Sequence, residues 1–136
     1  MIILDTNIII RHLTQDNPPQ HTRADAFFRE LARGNVSARL PEGVLVECVQ
    51  VLESKTLYNT PRPQIQTWLS TLLRYRSLRA TQKRVYLRAL ALYSTVARLS
   101  FVDCLCVAFA EREANPEVLT FDRGFNRVPS ITRIEP

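Results

Sequence analysis

Polar residues interrupt the apolar positions of this chain at two periods, and the predicted elements follow from them. Residues 1–4, MIIL, form a short unbroken apolar run that reads as a buried strand. Residues 6–14 turn into a helix, and Asn17-Pro18-Pro19 breaks it. In the next helix Ala24, Phe27, Phe28 and Leu31 fall at i, i+3, i+4 and i+7, and Gly34 stands where a C-terminal cap belongs. Residues 36–40 make a second strand. Pro41 opens a third helix with one stripe of Leu45, Cys48, Val49 and Leu52 and a second of Val44, Cys48 and Val51, so it is apolar around much of its girth. Pro61 and Pro63 mark the next boundary, and Ile65, Trp68, Leu69 and Leu72 repeat the helical spacing.

Residues 77–80 read as a brief strand. Thr81 caps a long helix to about residue 99, with Val85, Ala89, Leu92 and Val96 inward and Arg84 and Arg88 on the opposite face. Ser100 caps a further helix carrying Val102, Leu105, Cys106 and Phe109. Residues 117–121 and 131–134 complete the strands. Strands alternating with helices imply an α/β fold with a parallel sheet covered on both faces. In such open sheets ligands sit beyond the carboxyl ends of the strands. Asp5 and Asp122 each follow a strand directly, so both belong to that edge.

Composition narrows the class. A chain of 136 residues is expected to form one domain, 1–136, with 46% hydrophobic and 23% charged residues, as in globular proteins. No apolar stretch reaches the roughly 18 residues needed to span a bilayer, and no signal peptide is evident, so a cytoplasmic location is expected. Three glycines leave no room for dinucleotide or P-loop fingerprints. Cys48, Cys104 and Cys106 lack metal-site spacing and are expected to be small buried hydrophobes. His12 and His21 have no nucleophile to serve and are expected at the surface. The net charge of +5 comes mostly from arginine. Arg74, Arg76, Arg79, Lys83, Arg84 and Arg88 crowd one stretch with Tyr75 and Tyr86 between them. Such a stretch is either a solvated helix face or a grip for a polyanion.

Four acids are candidates for chemistry, and each also has a structural role open to it. Asp5 suits the N-cap of the helix beginning at Thr6. Asp103 suits a capping box with Ser100. Asp122 suits the turn Phe121-Asp122-Arg123-Gly124. Glu47 borders an apolar stripe, where an unpaired carboxylate is costly, although an edge position beside Gln50 is an alternative. Glu42 is its rival, but a Glu at a helix start needs no function. Asp103, Cys106, Val107 and Ala110 share a face that directs Asp103 inward. Were the four acids to converge, their mutual repulsion would raise at least one pKa unless a cation joined them. Mg²⁺ or Mn²⁺ takes oxygen ligands of this kind and can activate water for attack on a phosphodiester.

The ordered set LDTN after the first strand, ECVQVL in the third helix, SFVDCLCVAFA and TFDRGF resembles the PIN-domain family, and within it the VapC-type toxins of toxin–antitoxin pairs. The resemblance covers essentially the whole chain. It implies a three-layer α/β/α sandwich with strand order 3-2-1-4-5. It also implies a divalent-metal endoribonuclease, usually homodimeric and silenced by a cognate antitoxin. Carried over by position, it makes Asp5 the central metal ligand, joined by Glu47, Asp103 and Asp122. Cys48 stands where the family often has Leu. Thr6 and Asn7 would shape the site, and Thr120 would wall it. The Arg-rich stretch would grip the RNA backbone without reading its sequence. Two alternatives accompany this reading. One is a PIN-like module that binds nucleic acid or protein without catalysis. The other is an aspartyl-nucleophile phosphatase, which generally needs a second Asp where Asn7 stands.

Overall fold

A computed structural model describes residues 1–136. The chain divides into two compact units, Met1–Lys83 and Arg84–Pro136. The first holds β1 (Ile2–Ile3), α1 (Thr6–Leu13), α2 (Pro18–Arg33), β2 (Ala38–Arg39), α3 (Glu42–Glu53), α4 (Arg62–Leu73) and β3 (Leu78–Arg79). Helix α5 (Lys83–Thr95) starts at the boundary. The second unit continues with α6 (Phe101–Ala110), β4 (Glu117–Leu119), a 3₁₀ turn at Arg123–Arg127 and β5 (Thr132–Ile134).

Every strand pairing is parallel, as an α/β fold with helical crossovers requires. The first sheet runs in the order β1-β2-β3, with Ile3 in register with Arg39 and Arg39 with Arg79. The second pairs β4 with β5. These are the 3-2-1 and 4-5 portions of the expected order. The first ladder continues past its strands through Leu4 N–H to Arg39 O, so Asp5 stands directly at its carboxyl end.

In the first unit α1 packs on α2 and α3, and α3 on α4. The α3 stripe Leu45, Cys48, Val49 and Leu52 is fully buried, as its spacing predicts. Each such leucine contributes about 2 kcal/mol by leaving water. Helix α2 starts where the Asn17 side chain accepts from Gln20 N–H, and it ends at Gly34, whose φ of 80° is open to glycine at little cost. In the second unit α6 lies against β4, the 3₁₀ turn lies against β5, and Tyr93 meets Phe101 edge-on at 5.9 Å.

Several expectations are corrected. Ile2 and Ile3 of β1 are 47% and 58% exposed, and only Leu4 of that run is buried. A two-residue strand is too short for its composition to fix its burial. Helix α5 ends at Thr95 rather than near residue 99, and it begins at Lys83, after Thr81. The Thr95 hydroxyl donates to Ala91 O and Leu92 O, competing for the last carbonyls, and a turn then presents Ser100 as the next cap. In α6 the buried side is Phe101, Cys104, Leu105, Val107, Ala108 and Ala110. Val102, Cys106 and Phe109 face solvent, so Cys106 is not a core residue. A helix apolar nearly all round does not disclose its inner face. His12 is not a surface group either: it stacks on Phe28 at 4.3 Å between ring centroids. His21 is half-buried, its Nδ1 2.9 Å from Arg11 O.

Candidate functional site

Asp5 occupies the N-cap position of α1, with φ −98° and ψ 162°, yet its side chain makes no capping hydrogen bond. The structural role that Asp most often fills at this position is unfilled. The carboxylate is exposed at the end of β1 and at the positive end of the α1 dipole, which favours an anion there. Thr6 is buried beneath it and Asn7 is exposed beside it.

Glu47 is exposed one helical step from the buried stripe of α3. Helix α3 packs against α1, and Cys48 reports what this brings together. Burial, followed by the negative charges of Glu47 and Asp5, pushes the Cys48 thiol up to about 12. Two residues 42 positions apart in the chain therefore act on one buried sulfur.

In the second unit Asp103 fills the role its sequence allows. Ser100 Oγ accepts from Asp103 N–H at 3.1 Å, and Asp103 Oδ2 accepts from Ser100 N–H at 3.0 Å, closing a capping box. The box holds the carboxylate half-buried at the start of α6. Burial and then the charge of Asp103 raise the Cys106 thiol one turn along. Asp122 caps the 3₁₀ turn: its Oδ1 accepts from Gly124 N–H at 2.7 Å. Thr120 Oγ1 accepts from Asp122 N–H at 3.0 Å, so Thr120 shapes the loop that carries the acid. A Cβ on Gly124 would lie 3.0 Å from Asp122 Oδ1 and 3.6 Å from Leu99 Cδ2. The absent side chain at 124 is thus what lets the Asp122 carboxylate fold onto the backbone, beside the residue that precedes Ser100. The sequence signal for this role was the Asp-x-Gly spacing.

Asp5 and Glu47 thus both lie within electrostatic reach of Cys48 in the first unit, while in the second the turn that carries Asp122 lies against Leu99, four residues before Asp103. Within either unit, no three His, Cys, Asp or Glu side chains form a metal site by themselves. All four acids offer hard oxygen donors. Asp103 and Asp122 each keep one carboxylate oxygen free of backbone hydrogen bonds.

The basic stretch resolves into different tasks. Arg74, Arg76, Arg79 and Arg84 are exposed. Lys83 donates to Tyr75 O at 2.7 Å, and burial, followed by the nearby Arg79, lowers its pKa. Arg88 forks onto Glu111, with Nε to Oε1 at 2.8 Å and Nη2 to Oε2 at 3.0 Å. That fork raises the Arg88 pKa and holds the Glu111 carboxyl below its usual range.

The PIN domain profile matches residues 2–131, across both units. The chain belongs to the PIN-domain family. It is also 29% identical over 128 residues to a protein named VapC ribonuclease from Aquifex aeolicus (strain VF5), covering 94% of this chain and 92% of that one. The match spans all four acids, Asp5, Glu47, Asp103 and Asp122, and the chain's alternating strands and helices fit the family. No helix of this PIN protein is long and apolar enough to cross a membrane.

Proposed function

We propose that this PIN protein is a divalent-metal-dependent endoribonuclease of the VapC type, held in check by a cognate antitoxin. The carrying observation is the uncapped Asp5 carboxylate at the end of β1, with Glu47 acting on the same buried thiol. Asp5 and Glu47 are exposed and make no hydrogen bond or ion pair within the protein, so both carboxylates are open to a cation. The likeness to the Aquifex VapC ribonuclease supports the same reading.

In this reading Asp5, Glu47, Asp103 and Asp122 hold Mg²⁺ or Mn²⁺, the ions that suit an all-oxygen donor set. Such an ion, when bound, supplies an activated water and neutralises phosphodiester charge. The protein supplies the rest. The capping box fixes the Asp103 carboxylate, and Thr120 with Gly124 fixes Asp122. Asn7 offers an amide next to Asp5. Exposed arginines at 74, 76, 79 and 84 meet the RNA backbone, so binding weakens as salt rises. An antitoxin silences the site by inserting a cation, as an Arg fork fits paired carboxylates.

One observation favours a second reading, a module that binds without cleaving: Asp103 and Asp122 are each already engaged by backbone N–H groups. Purified wild type and Asp5→Asn, incubated with RNA and either Mg²⁺ or EDTA, separate the two. Cleavage by the wild type alone, and only with the ion, is expected. Cleavage by Asp5→Asn at the wild-type rate refutes the catalytic assignment, and no cleavage by the wild type favours the binding module.

A further inference from the structure

An open cleft of about 360 Å³ lies between helices α1 and α2, lined by Asn7, Ile8, Arg11, Gln20, Arg23 and Ala24. Both walls follow from helical spacing: residues 7, 8 and 11 share a face of α1, and residues 20, 23 and 24 share a face of α2. The lining is two guanidinium groups, two amides and a small apolar floor. Its size falls at the lower end of the range for small-ligand sites.

Arg11 is held in place before any ligand arrives. Its Nε donates to Gln20 Oε1 at 2.7 Å, and its Nη1 lies 3.3 Å from Asp16 Oδ1 and 3.4 Å from Tyr58 Oη. Asp16 is fixed in turn by Tyr58 Oη, donating to Oδ2 at 2.7 Å, and by Thr14 Oγ1, donating to Oδ1 at 3.1 Å. The Tyr58 hydrogen bond leads the causes that lower the Asp16 pKa, so the anion that orients Arg11 persists at neutral pH. Nothing comparable restrains Arg23, which is exposed and has neither an ion pair nor a hydrogen bond. The cavity therefore presents one oriented guanidinium and one uncompensated positive charge. Asn7, on its rim, lies two residues from Asp5.

We infer that this cavity is a nucleotide subsite for single-stranded RNA, taking a phosphate on Arg11 and Arg23 and a base against Ile8 and Ala24. The inference rests on the ribonuclease reading and adds to it a place where the strand beside the cleaved bond is held. Arg23 has its whole fork free for a phosphate, and Arg11, committed through Nε and Nη1, keeps Nη2 for it. The Asn7 and Gln20 amides supply a donor and an acceptor to base edges, which is the chemistry that discriminates bases.

The test measures binding of a fluorescein-labelled single-stranded RNA of mixed sequence to the full chain in EDTA, where no cleavage occurs. Arg23→Glu is compared with Arg33→Glu, the same charge reversal on the same helix outside the cavity, and circular dichroism confirms that both fold. Arg23→Glu is expected to weaken binding about tenfold and to lower the salt slope by roughly 0.7. Arg33→Glu is expected to change affinity less than about twofold, as a peripheral charge. Equal weakening by both reversals overturns the subsite and leaves the nuclease reading standing, because general charge then explains the binding. An Arg23→Glu protein that binds RNA normally but escapes its antitoxin assigns the cavity to a protein partner and also overturns the subsite. Absence of RNA binding by the wild type in EDTA overturns the subsite, whose guanidinium groups need no ion, and the ribonuclease reading is then judged by the separate cleavage assay in Mg²⁺.

Discussion

The capping box at α6 allows the folding and chemical roles of Asp103 to be separated. In Asp103→Asn the amide oxygen still accepts from Ser100 N–H, so the 3.0 Å bond survives while the charge is lost. Its stability cost is limited to the favourable interaction with the α6 N-terminus, about 0.3–1 kcal/mol. In Ser100→Ala the charge stays, but the 3.1 Å bond to Asp103 N–H is lost. That removes the cap, worth about 1 kcal/mol, or about 3–5 °C in melting temperature for a chain of this size. Turnover should rank the two variants the other way. Ser100 acts only through Asp103, and removing a group that orients a ligand costs roughly 10–100-fold. Loss of the carboxylate itself should exceed that range. The assay pairs urea unfolding with cleavage of a fluorogenic RNA in Mg²⁺. If Asp103→Asn retains more activity than Ser100→Ala, Asp103 is a helix cap and nothing more.

Other perturbations follow from the same geometry. Gly124→Ala should cost about 1–2 kcal/mol and reduce cleavage, because the new Cβ meets Asp122 Oδ1 at 3.0 Å; unchanged stability and turnover together would contradict this. Arg88→Ala should cost about 1 kcal/mol at pH 7 and leave RNA affinity within about twofold, since its guanidinium is committed to Glu111. Because the folded state lowers the Glu111 pKa, that stabilisation is complete above the unfolded value and is lost as pH falls through the folded one. Urea unfolding of the two proteins should therefore converge in acid. His12 is held below its usual pKa chiefly by burial, against the pull of Asp25, so its contribution is complete above about pH 6.5 and fades on acidification. His12→Phe should keep the stacking on Phe28 and flatten the loss of stability between about pH 7 and pH 5. Finally, Mg²⁺ or Mn²⁺ should raise the melting temperature of the wild type and not of Asp5→Asn; an equal rise in both would place the ion elsewhere.

Much of the fold was legible because helix spacing and punctuation agree in this chain. Asn17 before two prolines, Gly34 after the Ala24–Leu31 stripe, Pro41 and Pro61 each mark a boundary that the structure keeps to within a residue or two. Legibility fails where pattern carries no contrast. Helix α6 is apolar on nearly every side, so its inner face depends on neighbours, and Cys106 was expected in the core for that reason. Strands of two or three residues are too short for period to show. The place of His12 is not legible because a histidine's burial depends on which ring lies across from it, here Phe28. The Arg11–Asp16–Tyr58 cluster joins residues whose proximity only the folded α1–α2 pair and the loop after α3 create. The α1–α2 cavity, by contrast, lies on spacings present in the sequence, but two arginines among sixteen do not stand out without a wall between them.

The acids show why motif and geometry answer different questions. Asp5, Asp103 and Asp122 all occupy positions where an acid can cap a turn of helix, and each therefore has a structural role open to it in the sequence. The structure separates them: Asp103 and Asp122 cap, while Asp5 does not. An acid that caps is stabilised where it stands and persists for that reason alone. Asp5 gains only the helix dipole, and it and Glu47 both lie within electrostatic reach of Cys48, with neither carboxylate committed to a backbone hydrogen bond. Of the four, Asp5 is therefore the residue whose replacement by Asn should cost least in stability without a bound ion, at most the helix-dipole term of about 0.3–1 kcal/mol, so that a loss of cleavage in that variant, measured beside urea unfolding, could not be assigned to folding.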